Sequence, residues 1–264
     1  MKRILILGLI AFNLISFNSK AQKVDSSRIV RVLTYNILHG KTLKGDFDLD
    51  LIAKVIADAK PDLVALQEVD YQTNRARKYD LVTELGWRTK MSPLFASAMP
   101  YDGGEYGEGV LSKYTFLTSK NHPLPYTEGK EPRAAAEIQV KIKSGDVIRF
   151  VGTHLDHEKD PHNRFIQAQE LNRVLTQDDL PSILVGDLNE TPDQKGMQLL
   201  FQEWEPSFKT NEPTFPSDNP IKKIDYVLFR PANRWRVLET KVLDEKVASD
   251  HCPVLVVLEL LPAN

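Results

Sequence analysis

Ser182-Ile183-Leu184-Val185-Gly186-Asp187-Leu188-Asn189 is the stretch from which this chain of 264 residues is best read. Ile183, Leu184 and Val185 form a short apolar run of strand character. Gly186 lets the backbone turn, so Asp187 emerges at the end of a buried strand. Asp187 and Asn189 stand two apart, and in extended backbone their side chains project to one side. A carboxylate beside a carboxamide can orient a water, withdraw its proton and hold a phosphate oxygen. Gly-Asp-x-Asn is equally good turn chemistry, so the stretch alone leaves both readings open.

The same arrangement recurs along the chain. Strand-like runs end in Tyr35-Asn36, Gln67-Glu68, Gly107-Glu108, His154-Leu155-Asp156, Ile224-Asp225-Tyr226 and Ser249-Asp250-His251. One acidic residue beside an apolar run is ordinary. A whole series, rich in Asp, Glu, Asn and His, points to strands delivering carboxylates to a common pocket suited to a hard divalent cation and an anionic substrate. A hydrolase of phosphate esters is the implied chemistry. Glu68 follows Leu63-Val64-Ala65-Leu66-Gln67, and a carboxylate at the mouth of an apolar strand needs a partner, either a cation such as Mg²⁺ or an arginine. His154 and Asp156 are expected on one strand face, and His251 follows Asp250. Lone histidines are most often structural, whereas two beside carboxylates at strand ends fit groups that protonate a leaving oxygen and stabilise a transition state.

Working outward, residues 29–37 read as a strand and residues 48–60 as a helix ended by Pro61. Residues 63–66 form a short buried strand, and residues 79–85 a second helix closed by Gly86. Residues 92–109, rich in Pro, Gly and Tyr, are expected to loop over the pocket. After a Pro-rich loop at 121–132, strands at 133–143 and 147–154 are joined by Ser144-Gly145-Asp146. A helix at 161–176, the strand at 182–185 and a short helix at 197–204 follow. Strands at 224–229, 237–243 and 254–261 complete the chain. Strands alternate with helices early and pair as hairpins later, which argues for an α/β sandwich of two packed sheets with helices outside.

Composition agrees with one large domain: 42% of residues are hydrophobic and 27% charged. Residues 1–21 have a basic start, an apolar run to about Phe17 and a small-residue site at Ser19-Lys20-Ala21, the pattern of an export signal. The run is too short for a comfortable span, which takes about 20 apolar residues. Residues 22–28 are expected to be a flexible lead-in and residues 29–262 the domain proper, secreted or periplasmic. Removing residues 1–21 takes three basic residues and no acid, which moves the formal charge from −2 to −5. An acidic chain lacks the basic field typical of nucleic-acid binders. Cys252 has no second cysteine to pair with and is expected as a buried small hydrophobe.

In their order, Thr34-Tyr35-Asn36-Ile37, Leu66-Gln67-Glu68-Val69, Thr153-His154-Leu155-Asp156-His157, Gly186-Asp187-Leu188-Asn189, Ile224-Asp225-Tyr226 and Ser249-Asp250-His251-Cys252-Pro253 resemble the endonuclease/exonuclease/phosphatase superfamily. That group includes DNase I, the AP endonucleases, the neutral sphingomyelinases and the inositol-polyphosphate 5-phosphatases. The resemblance implies a DNase I-like four-layer sandwich, with two central mixed sheets flanked by helices. It also implies that Glu68, helped by Asn36 and Asp250, holds Mg²⁺, with Mn²⁺ as a substitute. Asp187 would position or activate the attacking water and Asn189 would grip a phosphate oxygen. His154, and His251 oriented by Asp225, would act as the acid/base and charge-stabilising pair.

One departure matters. Where many members have Gly-Asn, this chain has Gly107-Glu108, and a Glu108–His154 pair is expected, with Asp156 in a supporting role. Arg75, Arg77, Lys78 and Arg133 are candidate phosphate contacts. Phe95, Met99, Tyr101 and Tyr106 are candidates to pack on a lipid or sugar. The preferred substrate is a small or lipid-linked phosphodiester, acted on by a monomer without a transmembrane segment once processed. A secreted DNase I-type nuclease is the alternative, and a non-catalytic binding module is disfavoured by the intact polar set.

Overall fold

The computed structural model describes residues 24–263, so the expected export signal at 1–21 lies outside the described residues. The strands in chain order are β1 (Ile29–Asn36), β2 (Leu63–Tyr71), β3 (Ser92–Tyr101), β4 (Gly104–Ser112), β5 (Phe116–Leu124) and β6 (Arg133–Lys141). They continue as β7 (Val147–His154), β8 (Ser182–Asp187), β9 (Glu205–Pro206), β10 (Asp225–Arg230), β11 (Trp235–Val242) and β12 (Val254–Leu260). Helices α1 (Leu49–Ala59) and α2 (Leu81–Thr89) follow β1 and β2, while α3 (His162–Leu175) and α4 (Lys195–Leu200) flank β8.

Two six-stranded mixed sheets result, ordered β11-β12-β1-β2-β4-β3 and β5-β6-β7-β8-β10-β9. Each contains one parallel pair, β1–β2 and β7–β8, and is otherwise antiparallel. Between the sheets pack Val32, Ala65 and Val110 from one and Ile138, Phe150, Ile183 and Val227 from the other. The outer faces are covered by helices. On α1, Leu49, Ile52, Ala53 and Ile56 recur at helical spacing and are buried against the first sheet with Leu33, Val64 and Leu66. Asp48 caps this helix by accepting from Leu51 N at 2.9 Å, and Lys60 ends it in the left-handed conformation before Pro61. Leu171, Leu175, Met197 and Trp204 cover the second sheet. The four-layer sandwich expected from the sequence is the observed fold.

Several boundaries differ for identifiable reasons. Residues 92–109 are not a pocket-covering loop; most of the stretch is the β3–β4 hairpin, turning at Asp102-Gly103. Its prolines are tolerated because β3 is the edge strand, where a missing N–H leaves no ladder partner unpaired. Gly107 is required because a Cβ there would lie 2.0 Å from Ala96 O. The edge strand β5, with most of its residues exposed, was hidden by its polar composition. Strand β2 runs past residue 66 to Tyr71. The lead-in contains a 3-10 turn, Ser26–Arg28, tied down by an Arg28–Asp146 ion pair at 3.1 Å. Cys252 is buried, as expected. No described helix is long and apolar enough to cross a membrane.

The sheets approach closely at Gly152 of β7, where a Cβ would lie 2.8 Å from the Ala65 Cβ of β2. A G152V substitution is expected to overpack this contact and cost ~2 kcal/mol, lowering Tm by roughly 4–8 °C. Thermal melts followed by circular dichroism check this; an unchanged Tm would show that the sheets do not meet there.

Candidate active site

Strand register brings the polar clusters together. In the first sheet Asn36 pairs with Gln67, and in the second Asp187 lies level with both His154 and Asp225. The C-terminal ends of both parallel pairs therefore open on one edge of the sandwich. There they line a cleft of ≈ 340 Å³ whose walls include Glu68, Arg133, His154, Asp187, Asp250 and His251. Gly186 makes the last step of β8 possible: its φ is +153°, and a Cβ would lie 1.9 Å from Thr153 O of the parallel neighbour.

Asp187 is buried, and its Oδ2 is ringed by nitrogen: Asn36 Nδ2 donates at 3.3 Å, and His154 Nε2 and His251 Nε2 each lie at 3.5 Å. Its Oδ1 accepts from Asn189 N at 3.0 Å. Burial pushes the Asp187 carboxyl up to about 7. His251 is held from behind by Asp225, with Nδ1 at 3.0 and 3.2 Å from the two carboxylate oxygens. Thr214 Oγ1 donates to Asp225 Oδ2 at 2.5 Å, and the Phe215 ring packs 4.7 Å from the imidazole. Burial works against a charged His251, but the carboxylates of Asp225 and then Asp187 outweigh it and raise the imidazole to about 10. The two carboxylates thus favour the imidazolium form of His251.

Glu68 sits on a β-bulge between Leu66 and Val69 with φ +56°, a conformation that turns its carboxylate out of the ladder and into the cleft. Its Oε1 accepts from Asn36 Nδ2 at 3.2 Å, and its Oε2 lies 3.4 Å from His39 Nδ1. Burial opposes ionisation of Glu68, but these contacts from His39 and Asn36 win and hold it below the usual carboxylate range. Because one Asn36 amide nitrogen serves both Glu68 and Asp187, the two carboxylates lie within a few ångströms of each other. Asp250 shares the cleft, its carboxyl raised by burial and, beyond the opposing pull of His251, by the Glu68 charge. Ser249 Oγ ties this segment to Asn36 O at 2.6 Å.

Two acidic groups test for a cation. Ligand atoms of Asp187, Asp225 and His251 lie within 4.8 Å of one another. That space is already bridged by the imidazolium, which faces both carboxylates. Glu68 and Asp250 present hard oxygen donors on the open side with no lysine or arginine bonded to them among the described residues, the donor chemistry that suits Mg²⁺. Asn36, expected as a ligand, acts here as a bridge: its amide spans Glu68 and Asp187 while its oxygen accepts from Leu38 N at 3.1 Å.

Residues 33–251 match the model of the Endonuclease/Exonuclease/phosphatase family. The chain belongs to this family. Its members are hydrolases acting on phosphoric ester bonds, and the chain is therefore such an enzyme. Solved structures share the fold at low identity. An endonuclease/exonuclease/phosphatase from Beutenbergia cavernae is 22% identical with a TM-score of 0.74, covering 89% of this chain and 72% of that one. A mannosyl-6-phosphatase from Bacteroides thetaiotaomicron is 17% identical with a TM-score of 0.71, over 87% of this chain and 99% of its own. The human Nocturnin catalytic domain, with bound sulfate, is 18% identical with a TM-score of 0.68, over 90% and 96%.

Within this family frame some expected residues leave the site. The Glu108–His154 pair does not form: Glu108 is fully buried with both carboxyl oxygens unpartnered, and burial pushes it well above the usual range. Arg133 Nη1 stands at His154 Nδ1 instead, at 2.8 Å. Asp156 lies beyond the end of β7, so it does not share a strand face with His154. It accepts from Asn163 Nδ2 at 2.8 Å and Glu158 N at 2.6 Å, shaping the turn into α3. Arg77 stacks on Phe47, Lys78 donates to Gly103 O, and Phe95 stacks on Tyr71, so none of these lines the cleft. Arg75, Met99, Tyr101 and Tyr106 do line it, with Arg75 paired to Asp70 at 2.7 Å. Thr214, Phe215 and Glu131 were not legible: each is remote from the motifs in sequence and enters only by folding.

The His251–Asp225 pair generates a pH prediction. A histidine whose folded pKa is about 10 keeps, above about pH 6.5, a proton that the unfolded chain loses. Its contribution is fully present below pH ~6.5 and is lost as pH rises toward 10. Urea melts at pH 7 and pH 9 are expected to show this loss in the wild type and a much smaller one in D225N. Equal losses in both proteins would remove Asp225 as the cause.

Proposed function

We propose that this chain is an exported, Mg²⁺-dependent phosphodiesterase that cleaves a small or headgroup-type phosphate ester by in-line attack of water. The carrying observation is the placement of one buried carboxylate, Asp187, between two imidazoles, one backed by the Asp225 carboxylate and the other by the Arg133 guanidinium. With its pKa about 7, Asp187 is suited to take the proton of an attacking water near neutral pH. Asn189, on the same turn, faces the phosphoryl oxygens. His251, charged and braced by Asp225, donates toward the leaving oxygen. Mg²⁺ held by Glu68 and Asp250 would neutralise charge on the phosphoryl group. Positioning and charge neutralisation are what such a displacement chiefly requires.

A small substrate is supported by the cleft itself. It is compact, and its half-buried walls carry Glu131 and Asp250 beside Glu68, while Arg75 is already matched by Asp70. Nucleic-acid affinity rests on rows of cations that displace counterions from the phosphate backbone, and this rim has no such row. The mannosyl-6-phosphatase with the same fold acts, by its name, on a phosphorylated sugar, which agrees with a hydroxylated leaving group. Export rests on the pattern of residues 1–21.

Purified protein is expected to hydrolyse bis-p-nitrophenyl phosphate with Mg²⁺ and to lose that activity in EDTA. D187A and H251A should each lower kcat at least ~10²-fold. Plasmid nicking that disappears in D187A would overturn the small-substrate reading in favour of a nuclease. In the same assay, kcat/KM should rise up to about pH 7 as Asp187 ionises and fall near pH 10 as His251 deprotonates. An alkaline limb unmoved by D225N would remove His251 as the acid.

A further inference from the structure

We propose that Arg133 fixes His154 in the neutral tautomer protonated at Nε2, and so makes His154 and Asn189 a pair of donors facing the cleft. The tautomer rests on geometry alone; that the donors meet a phosphoryl oxygen rests on the function proposed above.

A guanidinium has donors and no acceptor. Arg133 is almost wholly buried, with Nη1 2.8 Å from His154 Nδ1 and 3.5 Å from Tyr106 Oη. Nη2 lies 3.0 Å from His157 Nδ1 and 3.0 Å from Glu131 Oε1. The His154 Nδ1 must therefore present its lone pair, and a neutral ring then carries its proton on Nε2. That nitrogen lies 3.0 Å from Asn189 Nδ2, which also donates to Leu155 O at 3.0 Å. The second bond sets the amide: reversing it would place Oδ1 against the Leu155 carbonyl. The ring Nε2–H and the remaining amide N–H are two donors side by side, unable to satisfy each other. The nearest acceptor to Nε2 is Asp187 Oδ2, at a long 3.5 Å.

Such fixed, unspent donors are the arrangement that stabilises charge developing on a phosphoryl oxygen, because they need no reorganisation during reaction. Doubly protonating the ring would set an N–H against the guanidinium. Burial and the neighbouring charges of Arg133, His251 and His157 all press His154 the same way, well below the ordinary histidine range. Glu108 cannot act as the alternative orienter, since its carboxyl is bonded to nothing. In this chain, then, a cation occupies the position behind His154 where the sequence pattern leads one to expect a carboxylate, and Arg133 is a positioning residue.

The test is the ¹⁵N spectrum of the histidine rings in the full chain at pH 7, without metal or substrate. The wild type is expected to show His154 with bare Nδ1 and protonated Nε2. R133K, whose ammonium also only donates, should keep that pattern and activity within ~10-fold. R133M should populate the Nδ1–H form and lose kcat by about 10²-fold with KM little changed. A wild-type His154 protonated at Nδ1, alone or together with Nε2, would overturn the proposal even if R133M does not fold. An R133M ring indistinguishable from wild type would also overturn it. A chain that hydrolyses no phosphate ester yet shows the Nε2–H form would support the tautomer while refuting the proposed function.

Discussion

A carboxylate stripped of water has to be compensated by its surroundings, and the site is organised around that requirement at Asp187. The side chain is buried, and its partners come from outside its own strand: Asn36 from β1, His154 from β7 and His251 from the segment before β12. The strands carrying these partners belong to both sheets, so the compensation holds only while the sheets keep their mutual register. The intersheet contact at Gly152 and Ala65, and the close approach of Gly186 to Thr153, are the backbone side of the same constraint. Neither position has room for a side chain, and both lie on strands that end at the cleft.

The two imidazoles beside Asp187 are chemically unequal, and their rear partners explain why. Two oxygens of Asp225 stand behind His251 and favour its charged form. A guanidinium stands behind His154 and forbids it. One carboxylate thus lies between two imidazoles whose rear partners carry opposite charge. Glu68 and Asp250 line the open side of the same cleft with oxygen donors.

The rim of the cleft comes from less regular parts of the fold. The β3–β4 hairpin contributes Met99, Tyr101 and Tyr106, and the segment after β2 contributes Arg75, whose guanidinium stacks 4.4 Å over the Tyr101 ring. With Asp70 neutralising Arg75, this wall offers aromatic surface and hydrogen bonds more than net positive charge.

Much was legible without coordinates. Alternating apolar runs ending in polar pairs defined the strands β1, β2, β7, β8 and β10, and the order of Asn36, Glu68, His154, Asp187, Asp225 and His251 revealed the family. These are local properties: a strand's hydrophobicity, and a charged residue at its mouth, are written in consecutive residues. The edge strands β3 and β5 escaped because solvent and unpaired backbone edges accept Pro, Lys and Asn, which removes the apolar signal. What only the tertiary structure decided is which side chains become partners. Glu108 and His154, adjacent in expectation, are not bonded, because Arg133 on β6 stands at the ring nitrogen. Asp156 turns away because β7 stops at His154. Residue type and order determined that this chain carries the chemistry of phosphate ester cleavage; the stacking of two sheets, which brings Asn36 into contact with Asp187 across 151 positions of sequence, determined which side chain stands behind each imidazole.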